Sequence, residues 1–310
     1  MERIVIALGG NALQEKGDDG SYESQLKRAT EAFRSLLPVI EENEVVITHG
    51  NGPQVGSLLI QAQAAASKIR PFDMHTAVAL SQGMIGEVLA MAYDLARREA
   101  GIGKPPAVVL TRVVVDRDDP TLREPRKFIG PFMSEDEAAS MASAFGWNVK
   151  RQDDRGWRRV VASPRPVDIM ETSAIISLII DGFLPIACGG GGIPVIRDST
   201  GITPVNGVID KDATSALLGN LIEAQRLVIL TDVEFVYRDY GRPSQEPIRR
   251  ASAGELEEML RRGEFQDGSM GPKVRAAVDF IRRGGKVAHI ASLERCTETL
   301  SGHSGTVVVP

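Results

Sequence analysis

Ile4-Val5-Ile6-Ala7-Leu8 is an unbroken apolar run that stops at Gly9-Gly10-Asn11. One unit later the pattern returns: Val45-Val46-Ile47-Thr48 stops at His49-Gly50-Asn51-Gly52. Tyr22 to Glu41, between them, carries apolar residues at helical spacing, with Pro38 as an irregularity near its end, and Gln54 to Lys68 reads as a second helix. Strand, glycine turn and helix, repeated, predict a mostly parallel sheet covered on both faces. The strands are continuous rather than alternating in polarity, as burial on both sides demands. Further strands are expected at Ala107 to Val115, at Leu184 to Cys188 before Gly189-Gly190-Gly191-Gly192, at Leu227 to Leu230 before Thr231-Asp232, and at Val287 to Ile290. In such sheets ligands bind beyond the carboxyl ends of the strands. Those ends carry the glycines here, so several glycine turns should converge on one edge. Asp116 to Pro164 interrupts the pattern, is rich in Asp, Arg and Pro, and holds both tryptophans. It is expected to form a small inserted subdomain with short strands.

Composition excludes several classes. Over 310 residues the chain is 43% hydrophobic and 25% charged, ordinary globular values that rule out a disordered polymer. The longest apolar stretch, Ile175 to Cys188, is broken by Asp181, Gly182 and Pro185. It falls short of the roughly 18 residues a membrane helix needs, so no membrane association is expected. Met1-Glu2-Arg3 leads straight into the first strand, without the segments of a secretory signal. A net charge of −5 gives no electrostatic footprint for nucleic acid. Two distant cysteines, Cys188 and Cys296, argue against a disulfide framework and fit a reducing cytoplasm. Four scattered histidines (His49, His75, His289, His303) give no zinc spacing.

Nine lysines stand against 27 arginines. Lysines in glycine-rich settings therefore stand out, because each supplies a compact, mobile point charge. Lys273 follows Gly268-Ser269-Met270-Gly271-Pro272 and falls in the first turn of a helix running to Arg282. That is the wrong end of a helix dipole for a cation unless an anion also sits there. Lys211 lies in Asp210-Lys211-Asp212, which could equally be a solvated charged turn, and Lys127 alone is unremarkable. Gly9-Gly10-Asn11 and Gly50-Asn51-Gly52 would each suit a tight turn, but they also suit close approach of backbone to phosphate oxygens. Four consecutive glycines, Gly189 to Gly192, read as a strand-to-loop bend or as a backbone surface under a substrate. No Walker loop, protein-kinase signature or nucleophile elbow is present. The visible chemistry is positive charge and backbone amides around an anion.

In this order and spacing the segments resemble the carbamate kinases of the amino-acid-kinase superfamily. The resemblance is carried by Ile6 to Leu13, Val46 to Gly56, Ser81-Gln82-Gly83-Met84-Ile85-Gly86, Lys127 with Ile129-Gly130-Pro131-Phe132, Gly156-Trp157-Arg158-Arg159, Ile186 to Val195, Val208 to Asp212 and Gly268 to Val274. The resemblance implies a three-layer αβα sandwich and a homodimer. It implies reversible transfer between ATP and carbamate, giving ADP and carbamoyl phosphate, with Mg²⁺ carried mainly by the nucleotide phosphates. Residues 1–220, with the insert at about 116–164, would form the carbamate and phosphoryl part, and residues 221–310 the nucleotide part. Gly9, Gly10, Asn11, Gly50, Asn51 and Gly52 would bind carbamate and the transferred phosphoryl group, with Gly190 and Gly191 beneath the substrate. Lys127, Lys211 and Lys273 would neutralise phosphates while Asp210 holds the lysines. Thr231, Asp232, Val233, Tyr237 and Met270 would line the nucleotide pocket. Two positions depart from the family pattern: His75 stands where an Asp is usual, and Glu87 where an aromatic is common. On the sequence alone two other functions stay open: a kinase of another small carboxylate or phosphate, and a non-catalytic nucleotide-binding module.

Overall fold

In the computed structural model the apolar runs become strands and the amphipathic stretches become helices. It describes residues 1–10, 13, 20–101, 103–265, 270–300 and 303–310, so Asn11, Gly268 and Ser269 lie outside the described residues. The chain opens with β1 (Arg3–Leu8), α1 (Tyr22–Glu42), β2 (Glu44–His49), α2 (Gly52–Ala64) and α3 (Met74–Ala100). Next come β3 (Pro106–Val108), β4 (Arg112–Val115), the single turn α4 (Pro120–Arg123), β5 (Lys127–Met133) and α5 (Glu135–Phe145). β6 (Val149–Asp153), β7 (Gly156–Val161), β8 (Pro166–Ile169), α6 (Thr172–Ile180), β9 (Leu184–Ile186), β10 (Ile193–Asp198) and β11 (Gly201–Pro204) follow. The last part holds α7 (Lys211–Leu221), β12 (Arg226–Thr231), β13 (Val236–Arg238), β14 (Glu246–Ile248), β15 (Arg250–Ser252) and α8 (Ala253–Arg261). It ends with α9 (Met270–Arg282), β16 (Val287–Ser292), α10 (Cys296–Leu300) and β17 (Thr306–Val309).

Eight strands form the main sheet in the order β15-β17-β16-β12-β1-β2-β9-β3. β12 and β2 pair in parallel with β1 on its two sides, and β17 runs antiparallel to β16. Successive side chains of β1 point to opposite faces. Ile4, Ile6 and Leu8 join one core with Phe33, Leu36 and Tyr93 of α1 and α3. Val5 and Ala7 join the other with Ile175, Leu218 and Phe280 of α6, α7 and α9. This is the αβα sandwich, and the two-sided burial explains why β1 carries no polar alternation. α1 runs through Pro38 without a break in its assignment.

Three smaller sheets accompany it among the described residues, one of them the two-stranded antiparallel ribbon β13-β14. β5-β7-β6, all antiparallel, lies within the segment read as an insert, with α5 beside it. β11-β10-β4-β8 is a second sheet that the sequence does not announce. The expected strand Ala107 to Val115 is divided between sheets: β3 pairs with β9, and β4 with β10 and β8. The division falls at Thr111, whose N–H donates to Gln82 Oε1 (2.8 Å) and whose carbonyl accepts from Gln82 Nε2 (3.1 Å). A side chain of α3 thus takes the Thr111 N–H out of the ladder and shares its carbonyl with the Ile193 N–H of β10 (2.9 Å). α2 stops at Ala64 rather than Lys68; Ser67, Lys68, Ile69 and Arg70 are exposed and offer no buried face to hold another turn.

Candidate functional site

β1 delivers Gly9 and Gly10, β2 delivers His49 to Asn51, and β9 leads into a 3-10 turn at Gly189–Gly191. β12 ends at Thr231. All are carboxyl ends of parallel strands, and the direction of chain progression reverses around β1, where open sheets form their binding crevice. α2 and α7 begin at the same edge, so their positive dipole ends face the crevice.

A lysine–carboxylate cluster forms its floor. Lys211 Nζ donates to Asp212 Oδ1 at 2.5 Å, and Lys273 Nζ donates to Asp212 Oδ2 at 3.0 Å. The Asp212 side chain is only 3% exposed. Burial alone would push its carboxyl up, but the two ammonium groups reverse this and hold its pKa at about 2. Asp210 caps α7, accepting from the N–H groups of Asp212 (2.9 Å) and Ala213 (3.2 Å) through Oδ1. Its Oδ2 lies 3.8 Å from Lys127 Nζ of β5, with both side chains 35% exposed. The three lysines therefore meet, but the carboxylate between Lys211 and Lys273 is Asp212, which the sequence alone does not single out. Asp210 reaches Lys127 alone.

The glycine turns pack on polar side chains. His49 is buried, and its Nδ1–H donates to the Gly50 carbonyl at 2.9 Å. Burial lowers its pKa to about 4; the bond to Gly50 opposes this and Lys211 reinforces it. Asn51, also buried, donates to Ser81 Oγ (2.8 Å), which donates in turn to the Val78 carbonyl (2.7 Å). Gly190 has φ +63°, and a Cβ there would overlap the Asn51 amide. Thr214 Oγ1 donates to the Gly191 carbonyl at 2.9 Å, tying the turn to α7. Gly50 in turn borders the Lys211 stem, where a Cβ would meet Cδ at 3.4 Å.

A cleft of about 640 Å³ contains Gly50, Asn51, Gly52, Gly190, Lys127, Asp210, Lys211, Asp212 and Lys273. Arg158 also faces it, donating through Nε to the Gly130 carbonyl at 2.9 Å. A second cavity, about 810 Å³, is lined by Thr231, Asp232, Val233, Tyr237 and Met270, the five residues expected there. Asp239, Tyr240, Arg242, Arg262, Gly263, Glu264 and Phe265 also line it. Lys273 belongs to both spaces and joins them. Among the described residues no group of three or more His, Cys, Asp or Glu side chains is placed to hold a metal ion. His75 and Glu87 line neither space: His75 Nδ1 lies 3.3 Å from Asn206 Oδ1, and Glu87 accepts from the Tyr22 hydroxyl at 3.0 Å.

The sequence profile of the amino acid kinase family matches residues 2–292. The carbamate kinase of Thermoplasma volcanium is 48% identical over 310 residues, spanning 100% of both chains. That of Escherichia coli is 42% identical over 308 residues, spanning 99% of each. Among solved structures, the carbamate kinase from Giardia lamblia bound to AMP-PNP superposes with a TM-score of 0.92 at 36% identity, covering 99% of this chain and 98% of that one.

Proposed function

The chain belongs to the carbamate kinases of the amino acid kinase family, and on that premise we propose how the crevice transfers a phosphoryl group between ATP and carbamate. The observation that carries this reading is the convergence of Lys127, Lys211 and Lys273 between a glycine-walled cleft and a nucleotide-sized cavity. Carbamate is already an anion, so its oxygen attacks the γ-phosphorus without a general base. The new O–P bond forms as the bridging P–O bond to ADP breaks, and the reverse reaction makes ATP. The obstacle is bringing one anion to another, and positioning with charge stabilisation removes it.

Each residue then has a task. Backbone N–H groups at Gly9, Gly10, Asn11, Gly50, Asn51 and Gly52 seat carbamate and the moving phosphoryl group, with Gly190 and Gly191 under them. Lys211 and Lys273 neutralise the phosphates from the floor and Lys127 from the insert. Asp212 holds the first two in place, and Asp210 steadies Lys127. The adenosine end occupies the cavity of Thr231, Asp232, Val233, Tyr237 and Met270. The cleft carboxylates are already matched to lysines, so Mg²⁺ would ride mainly on nucleotide phosphate oxygens and supply positive charge there. Two protomers join through α3, whose Leu80, Met84, Met91 and Leu95 form an exposed apolar stripe. The buried free thiols of Cys188 and Cys296 suit a cytoplasmic enzyme.

The test is to mix the purified protein with carbamoyl phosphate, ADP and Mg²⁺ and measure ATP. The wild type should form it, and Lys211→Ala should lose on the order of 10²–10³ in rate, as for a lost oxyanion donor. No ATP from correctly folded wild type would sink the reading.

A further inference from the structure

The cleft has another neighbour that this reaction scheme leaves unused. A cavity of about 950 Å³ lies between the inserted sheet and the helices α7 and α9. It shares Lys127, Phe128, Arg158 and Asp210 with the cleft, and no residue with the nucleotide cavity. Five cations line it (Arg126, Lys127, Arg158, Arg165, Arg275) against two carboxylates, Asp210 and Asp279. Asp279 is taken by Arg165 at 2.9 Å. Arg158 is held by neutral acceptors, the Gly130 carbonyl and Gln152 Oε1. Arg275 is exposed and has no ion-pair partner among the described residues. Arg126 is paired with Glu124 at 2.6 Å, so Arg158 and Arg275 carry the excess positive charge of this concave surface, which in a chain of net charge −5 focuses its field on small anions.

We propose that this cavity is the anion antechamber of the cleft, through which carbamate and carbamoyl phosphate come and go. The proposal rests on the carbamate kinase reading. A nucleotide seated at the β12 end fills the flank of the cleft beside Lys273, so the small substrate needs the opposite flank. That flank is where the Lys127–Asp210 pair stands, at 3.8 Å and partly exposed, between cleft and antechamber. Arg275 and Arg165 draw the anion in, and Arg158 and Lys127, which face both spaces, pass it on.

The test is Arg275→Glu, a charge reversal on the solvent side of α9, assayed by ATP formation. At about 10 mM salt, where the Debye length is about 30 Å, kcat/KM for carbamoyl phosphate should fall about five- to tenfold. At about 0.3 M salt the difference should shrink to about twofold or less, while kcat/KM for ADP stays within about twofold throughout. Arg262→Glu, in the nucleotide cavity, should give the mirror result: ADP affected, carbamoyl phosphate not. An unchanged carbamoyl phosphate value at low salt overturns the antechamber, and so does an equal loss for ADP. Absence of ATP from the wild type would count against the reaction itself. In that case ³¹P NMR titration with inorganic phosphate decides: weaker binding by Arg275→Glu supports the cavity's role, and equal binding overturns it.

Discussion

One carboxylate, Asp212, serves two ammonium groups. Removing its charge by Asp212→Asn would leave Lys211 and Lys273 facing each other in a nearly buried space. Breaking such a buried arrangement costs about 3–5 kcal/mol, so the variant should unfold at lower denaturant at neutral pH. The sign of the pH dependence follows from the lowered carboxyl. Its contribution is complete above the unfolded value of about 3.9 and is lost as pH falls toward about 2. The stability gap between wild type and variant, measured by denaturation at pH 7, 4 and 3, should therefore narrow in acid. A constant gap would disprove the assignment. Asp210-Lys211-Asp212 was legible as a charged cluster but not as this division of labour. In sequence the two acids look alike. Only helix geometry separates them, since the first is the N-cap and spends Oδ1 on backbone amides, which leaves the second to face the lysines.

At the scale of elements, the strands and their glycine turns could be read because continuous apolar runs have few alternatives. The 3-10 turn after β9 was legible as glycine and not as packing. Each of its glycines abuts another part of the chain, and Gly190 abuts Asn51. Gly190→Ala should push the Asn51 amide off Ser81 and lower turnover at least about a hundredfold, since small misplacements of substrate-holding groups have that effect. Nucleotide binding, measured by ADP titration, should stay near the wild-type value, because the cavity beyond β12 does not touch the turn. Equal loss of both would mean that the turn supports the whole fold. The division of Ala107 to Val115 was illegible because Gln82, the cause, is far away in sequence and close only in space.

For the whole molecule, the sequence pointed to a parallel sheet without its strand order, since order depends on which crossovers pack together. The second sheet was missed because β11 is short and fully exposed and β10 buries only Pro194 and Val195, which leaves weak patterning. The proposed dimer makes a prediction at this scale. Met84→Glu, in the middle of the α3 stripe, should convert a dimer to monomers in sedimentation at micromolar concentration. A wild type that sediments as a monomer would remove the dimer from the scheme.

β1 is the one strand bordered by both β2, which carries the turn proposed to seat carbamate, and β12, which leads to the cavity proposed for the nucleotide. Gly9 at its end has no room for a side chain: a Cβ there would come within 2.8 Å of the Leu230 carbonyl. The spacing of the donor and acceptor regions is thus measured out by backbone ladders, at about 4.8 Å per strand. The sheet acts as a ruler whose unit is the peptide hydrogen bond. Side chains around the crevice can change without altering that spacing, as long as nothing larger than hydrogen is set at Gly9.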